Sequence, residues 1–175
     1  QGLVTRMIVT AVTGPETAEA EAVLKTARDC GITLYRTGYF SYDAKSSVKD
    51  NLDRILRGFE ALAKLSGVCG LTGCYQNHST VNATMFGGVV WDVWEMIKDL
   101  DPRSIASQYD VMHAFAETAF SWTHGFELIA PRIRCACLKD FYWESDKKNP
   151  KLRVKHVCPA GEGIVPWKEY VALSR

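Results

Sequence analysis

The sequence predicts an α/β fold, an incomplete (β/α)8 barrel, from three observations. Short β-branched or apolar runs alternate with longer segments of helical period. Polar clusters end the later runs: Tyr75-Gln76-Asn77-His78-Ser79, Gln108-Tyr109-Asp110-Val111-Met112-His113 and Leu138-Lys139-Asp140-Phe141-Tyr142-Trp143, with room for one helix and two turns between consecutive clusters. The chain's 175 residues suffice for one domain with a substantial core. A whole barrel typically needs roughly 250 residues. In parallel barrels the loops that follow the strands gather on one face, so these clusters are expected to meet in one pocket.

The elements follow in order. Arg6–Val12 is short and β-branched, a strand broken by Thr13-Gly14-Pro15; Glu16–Cys30 is an Ala-rich helix whose alanines and Leu24 face inward, with Gly31 in the place of a C-capping glycine. Ile32–Tyr35 begins a second strand ending at Arg36-Thr37-Gly38-Tyr39. Ser46 or Ser47 caps a helix to about Ser66, on which Leu52, Ile55, Leu56, Phe59, Leu62, Ala63 and Leu65 keep helical period and which Gly67 closes. Cys69–Tyr75 is the third strand. Val89–Leu100 is amphipathic, with Val90, Trp94, Ile97 and Leu100 inward, and Asp101-Pro102 ends it. Ile105–Tyr109 is the fourth strand, Gly125–Ala130 ends a helix cut by Pro131, and Ile133–Leu138 is the fifth strand. Glu144–Lys151 is a charged surface turn, Leu152–Val157 a short extension, and Pro166–Leu173 starts a last helix. Five strand–helix repeats with short connections imply a parallel sheet with right-handed crossovers, one partial barrel domain over residues 1–175. Five strands cannot close a ring, so the two open edges are expected to pair in a homo-oligomer or be covered by further sequence. The chain begins at Gln1 and stops at Ser174-Arg175 in an apparent helix, so a fragment of a longer protein is expected.

Composition narrows the function. With 21 basic and 20 acidic residues the formal net charge is +1, which points to neither nucleic acid nor a membrane surface as partner. The chain is 47% hydrophobic and 11% aromatic, as globular proteins are. The uncharged stretch Leu65–Trp91 contains Asn, Gln, His and Gly, so it is no membrane span. Six cysteines without CxxC spacing read as buried free thiols in a reducing compartment, and no signal peptide is visible; a cytoplasmic location is expected. Asn77-His78-Ser79 and Asn82-Ala83-Thr84 match the glycosylation triplet, a pattern common enough by chance to carry no weight.

Strand parity sorts the candidate site. If Asp110 points inward, so do Gln108 and Ala106, while Tyr109, Ser107 and Ile105 face the helices. By the same count His78, Gln76 and Cys74 share one face of their strand, and Lys139, Cys137 and Cys135 one face of theirs. A carboxylate, an imidazole and an ammonium would then ring the mouth and suit a polyhydroxylated, even phosphorylated, small molecule. Each residue also has a plainer reading. Asp110 serves equally as a loop or helix cap, with His113 in the first turn of the helix. Lys139 and Asp140 can pair with each other at the strand end. Arg36 either binds a phosphate or carboxylate or makes an internal ion pair. Trp143 either stacks on a sugar face or packs, whereas Trp91, Trp94, Phe115 and Phe120 read as core. The glycines around Glu162 in Pro159-Ala160-Gly161-Glu162-Gly163 allow a tight turn that displays the carboxylate, and no phosphate-loop or dinucleotide fingerprint is present.

Asp110-x-x-His113, Leu138-Lys139-Asp140 and Gly161-Glu162-Gly163-x-x-Pro166-Trp167, in this order and spacing, resemble the sugar phosphate isomerase/epimerase superfamily, the xylose isomerase-like TIM barrels that include the tagatose and psicose 3-epimerases. The resemblance covers essentially the whole chain and implies that it carries strands three to seven of eight. It further implies a divalent metal, Mn2+ or Mg2+, held by Glu, Asp, His and Glu on successive strands. Asp110 matches the Asp and His113 the substrate-contacting His; the first Glu falls near Gly73 or Cys74, the His on Cys137, and the last Glu beyond Arg175. Cys137 or His78 as substitute ligands would favour Zn2+.

The function so implied is isomerisation or epimerisation of a sugar or sugar phosphate through a metal-stabilised enediolate. Asp110 would bind the metal, His113 and His78 orient substrate oxygens, Lys139 stabilise the enediolate or hold a phosphate, and Glu162 shape the loop over the site. Gln76, Arg36 and Trp143 would complete the substrate contacts. The alternative is a barrel that binds carbohydrate or a partner without turnover, having lost most metal ligands. A metal-dependent nuclease would need more His, Asp and Glu ligands and a basic groove.

Overall fold

In the computed structural model, residues 2, 4–79 and 84–175 are described; Asn82 and Ala83 of the second glycosylation triplet lie outside them. Five strands form a parallel sheet in chain order: β1 (Met7–Val9), β2 (Leu34–Arg36), β3 (Thr72–Gln76), β4 (Ile105–Asp110) and β5 (Ile133–Cys137). Helices α1 (Ala20–Asp29), α2 (Val48–Cys69), α3 (Val90–Ile97), α4 (Val111–Thr118), α5 (Trp122–Ile129) and α6 (Trp167–Leu173) complete the strand–helix alternation. The α/β half-barrel expected from the sequence is the observed architecture. No helix among the described residues is long and apolar enough to cross a membrane.

Local chemistry sets the helix limits. Glu19 takes a left-handed conformation at φ 59°, so α1 begins at Ala20 rather than at Glu16, and the residues before it turn through the Thr17 N–H to Gly14 C=O hydrogen bond. Ala20, Leu24 and Ala27 form its buried stripe. Ser47 caps α2, its hydroxyl accepting the Asp50 N–H at 3.1 Å. The helix ends at Gly70, φ 71°, and not at Gly67: a left-handed C-cap needs a residue without Cβ, and Gly67 remains helical.

Two aromatic groups fill the space between sheet and helices. Under α2, Phe40, Phe59, Tyr75 and Phe86 pack together, and the Tyr75 hydroxyl accepts the Phe40 N–H and donates to the Phe86 carbonyl. Under α5 and α6, Tyr109 meets Phe126 and Tyr170, so the odd residues of β4 face the helices as parity predicts. Two expected core aromatics are not core: Phe120 is 93% exposed on the turn between α4 and α5, and Trp91 is 40% exposed on the outer face of α3. Of the six cysteines, all free, only Cys69 and Cys74 are fully buried, and Cys30 is exposed at the end of α1.

The largest departure follows β5. The stretch from Asp140 to Cys158 forms a two-stranded antiparallel ribbon, β6 (Asp140–Ser145) with β7 (Arg153–Cys158), pairing Phe141 with Val157, Tyr142 with His156 and Trp143 with Lys155. Only the charged tip, 146–152, is the expected surface turn. The ribbon is anchored by Asp140, whose carboxylate accepts the N–H groups of Phe141, Gly161 and Val165 and the indole N–H of Trp167. Lys139 and Asp140 therefore do not pair with each other: Asp140 turns toward the 161–167 segment and Lys139 toward the mouth of the sheet.

A candidate substrate site at the sheet mouth

Asp110 ends β4 and also caps α4, its Oδ1 accepting the His113 N–H at 3.2 Å. The capping reading of this residue thus holds, and its second oxygen is turned to the groups at the sheet mouth. Asn77 clamps the Asp110 backbone, donating from Nδ2 to its carbonyl at 2.9 Å and accepting its N–H at 2.8 Å. That buried use of the Asn77 amide leaves the first glycosylation triplet without an acceptor. Gln76, at the end of β3, donates from Nε2 to Asp110 Oδ2 at 2.7 Å, and lies 3.6 Å from the Cys137 sulfur. Its Oε1 accepts from the Tyr39 hydroxyl at 2.6 Å and from Arg36 Nη1 at 3.3 Å. Among the described residues Arg36 makes no ion pair and its buried Nε has no hydrogen-bond partner; its guanidinium lies 5.4 Å from the Tyr39 ring centre. Lys139 Nζ reaches Asp110 Oδ2 at 2.8 Å.

Two imidazoles lie beside this pair. His78 and His113 stack with centroids 3.7 Å apart and planes tilted by 34°. His78 Nδ1 lies 2.9 Å from the Ser79 carbonyl. A carbonyl only accepts, so Nδ1 carries the proton and Nε2 is the free lone pair. Ser79 Oγ lies 2.7 Å from His113 Nδ1, and Lys139 Nζ lies 3.4 Å from His113 Nε2. An ammonium only donates, which assigns the His113 proton to Nδ1 and to Ser79. Burial, with the nearby His78, Lys139 and Lys155 charges, pushes His113 down to about 2. Burial lowers His78 also, reinforced by Lys139 and Lys155 and opposed by its bond to Ser79 and by Asp110. Both rings are neutral at pH 7.

Of the predicted residues, Gln76, His78, Asp110, His113, Lys139 and Arg36 come together. Trp143 stands on the ribbon at 45% exposure, edge-on to Phe141. Glu162 is not brought in: it is exposed on the turn after β7, near Cys158, whose thiol is raised by burial and then by the Asp140 and Glu162 charges. Four contributors were missed. Asn77 and Ser79 stand within a cluster already singled out, and Tyr39 closes the Arg36 segment. Lys155 donates to Ser79 Oγ from β7, seventy-six positions away, with no local signal in the sequence.

These residues do not fit a divalent metal, which needs several donors with free lone pairs at one point. Both Asp110 oxygens are engaged, one by the His113 N–H and the other by Gln76 and Lys139, and the Gln76 carbonyl is taken by Tyr39 and Arg36. The Lys139 ammonium supplies the positive charge beside the carboxylate. Burial, then the Asp110 charge, raises the Cys137 thiol, which keeps it protonated. Among the described residues no group of three or more His, Cys, Asp and Glu is arranged to hold a metal ion. Near the position the resemblance gives to the first Glu, the β3 side chain that reaches Asp110 is Gln76, not Gly73 or Cys74.

The polar side chains gather at the C-terminal ends of parallel strands, the face on which TIM barrels carry their active sites. The sequence pattern of the xylose isomerase-like TIM barrel matches residues 14–173, and the chain belongs to that family. Comparison with curated protein sequences finds no match. Among solved structures the chain is similar to a xylose isomerase domain protein from Planctomyces limnophilus (14% identity, TM-score 0.64, 89% of this chain and 51% of that one). It is similar also to 3-keto-D-glucoside 4-epimerase YcjR from E. coli (10% identity, TM-score 0.68, 98% and 66%). A third is D-psicose 3-epimerase from Clostridium cellulolyticum H10 (14% identity, TM-score 0.60, 93% and 55%). The chain therefore spans about half to two thirds of the length of these structures, and at such identity the likeness is one of fold.

Proposed function

We propose that this chain binds a sugar at the rim formed by β2 to β5 and moves a proton on it, as an isomerase or epimerase, with the Lys139 ammonium in the place the family gives to a metal ion. The observation that carries this reading is the Lys139–Asp110 contact at 2.8 Å, with Gln76 Nε2 donating a second hydrogen bond to the same oxygen. It fixes a cation at the mouth without an external ion. The epimerase names of two structural neighbours support the sugar as substrate.

In this reading His78 is the base. Its Nε2 lone pair removes the proton from the carbon beside the sugar carbonyl, the C–H electrons form the carbon–carbon double bond, and the carbonyl π pair moves to oxygen. Lys139 donates a hydrogen bond to that oxygen, a cationic donor worth roughly twice a neutral one. Return of the proton from His78 to the former carbonyl carbon, with the hydroxyl proton of the deprotonated carbon passing to the former carbonyl oxygen, isomerises the sugar. Epimerisation at the deprotonated carbon needs a proton from water on the face opposite His78, while His78 keeps the proton it removed. Asp110 keeps Lys139 in place, and Asn77 keeps Asp110.

The test is exchange of the carbon-bound proton of D-fructose in D2O, followed by proton NMR in excess EDTA. Exchange by the parent chain, lowered about 100-fold or more in both His78→Gln and Lys139→Met, is expected. Exchange that EDTA abolishes, or that both variants retain, overturns the proposal. Binding without turnover is the second reading, favoured by the full engagement of the Asp110 carboxylate, which leaves it unable to act as a second base; sugar binding with no exchange would establish it. A homo-oligomer through the edges of β1 and β5 stays a proposal, tested by light scattering.

A further inference from the structure

The β6–β7 ribbon lies outside the strand–helix repeat and is folded over the site. Residues paired directly across an antiparallel ribbon share a face, so Phe141 with Val157 and Trp143 with Lys155 lie on one side and Tyr142 with His156 on the other. The first side faces the sheet mouth, because Phe141 is fully buried against Phe115 and Lys155 bonds Ser79. Trp143, half exposed, is therefore beside Lys155 on the side of the ribbon that overlooks the imidazoles.

Two ammonium groups then approach His113 from its two ring nitrogens, Lys139 at Nε2 and Lys155 through Ser79 at Nδ1. Arg36 supplies a third cation behind Gln76. Both imidazoles are neutral. Against these cations stand Asp110, already paired with Lys139, and Glu117, which attracts Lys155; the cluster keeps a positive surplus. Lys155 is half-buried, and the hydroxyl it bonds is neutral. Burial of the ammonium outweighs the attraction of Glu117 and Asp110, so a further anion at Lys155 would offset its desolvation.

We propose that Lys155 is the anchor for an anionic group of the substrate, a phosphate monoester or a carboxylate, with Trp143 against the apolar face of the sugar that carries it. This rests on the reading above that a sugar binds at the rim, and it narrows the substrate to anionic sugars. The ribbon is the specificity element: its strands bring an indole and an ammonium to a site whose other groups come from the sheet.

The test is calorimetric titration of the chain and of Lys155→Met and Lys155→Arg with D-fructose, D-fructose 6-phosphate and D-glucuronate. The parent is expected to bind at least one anionic sugar about ten-fold or more tighter than fructose. Lys155→Met should abolish that preference while keeping the parent's melting temperature, and Lys155→Arg should keep the preference. Preference for the phosphate alone, or for the uronate alone, identifies the group. Equal affinity of the parent for all three, or a preference that survives Lys155→Met, overturns the anchor while sparing the sugar site. Failure of the parent to bind any of the three overturns the sugar site and the anchor with it.

Discussion

The imidazoles of His78 and His113 lie face to face, 3.7 Å between centroids, with Lys139 and Lys155 as their nearest cations. Protonating either ring would place a new positive charge beside two others in a partly dry site. The pair therefore rests neutral, with each Nδ1 proton held by Ser79 and a lone pair on each Nε2.

That arrangement makes stability pH-dependent with a definite sign. The folded pKa of His113, about 2, lies below the ordinary 6.5, so the unfolded chain binds a proton that the folded chain refuses. The His113 contribution to stability is level above pH 6.5 and falls as pH drops below it, by about 1.4 kcal/mol per pH unit. Urea unfolding between pH 7 and pH 4 measures this. His113→Asn should flatten the slope; parallel slopes in parent and variant would show that His113 protonates in place.

Lys139→Met removes the partner of a fully buried carboxylate. A broken buried pair costs about 3–5 kcal/mol, and the low end is expected because Lys139 keeps 36% of its side chain exposed. Asp110→Asn in the same chain should recover part of that loss, since the amide carries no charge. Additive losses in the double-mutant cycle would refute the coupling.

Asp140 holds the ribbon to the 161–167 segment through four hydrogen bonds. Burial alone would raise its pKa, but the Trp167 indole and the backbone N–H groups of Val165, Phe141 and Gly161 outweigh it and hold the carboxyl below its usual range. Asp140→Ala strands these donors and should cost about 3 kcal/mol. Hydrogen exchange should quicken in residues 161–167 and in the ribbon before the five-stranded sheet responds; uniform quickening would deny the local role.

Gly163 sits against that carboxylate. A Cβ there would come within 2.2 Å of Asp140 Oδ1 and 2.3 Å of the Phe141 carbonyl oxygen. Gly163→Ala should therefore destabilise by about 1–3 kcal/mol. Glu162→Ala, one residue earlier and exposed, should change stability by less than about 0.5 kcal/mol and leave sugar binding unaltered. A marked loss of binding in Glu162→Ala would restore the loop role the sequence suggested.

Legibility tracked how local each cause is. The β3 and β4 termini were readable because alternation fixes which side chains point inward, so Gln76 and Asp110 could be placed on one rim before any coordinates. Helix ends followed caps where the cap is local, as at Ser47, and slipped where two glycines competed, as at Gly67 and Gly70. Phe120 and Trp91 were misplaced because apolar character alone does not say which face of a short helix or turn is covered. The ribbon was misread because its charged tip dominates the composition, while its pairing depends on Asp140 reaching a segment more than twenty residues on.

What the amino-acid order determined is the α/β half-barrel and the rim on which Gln76, His78, Asp110 and Lys139 meet, since period-two strands and helical repeats are encoded within short windows. What only the folded chain decided is the partner of each charge. Lys139 chose Asp110 over adjacent Asp140, Asp140 became a backbone-capping hub, and Lys155 arrived from the ribbon. Those choices depend on distances between strands, and a carboxylate taken out of water binds whichever donors the packing brings within 3 Å.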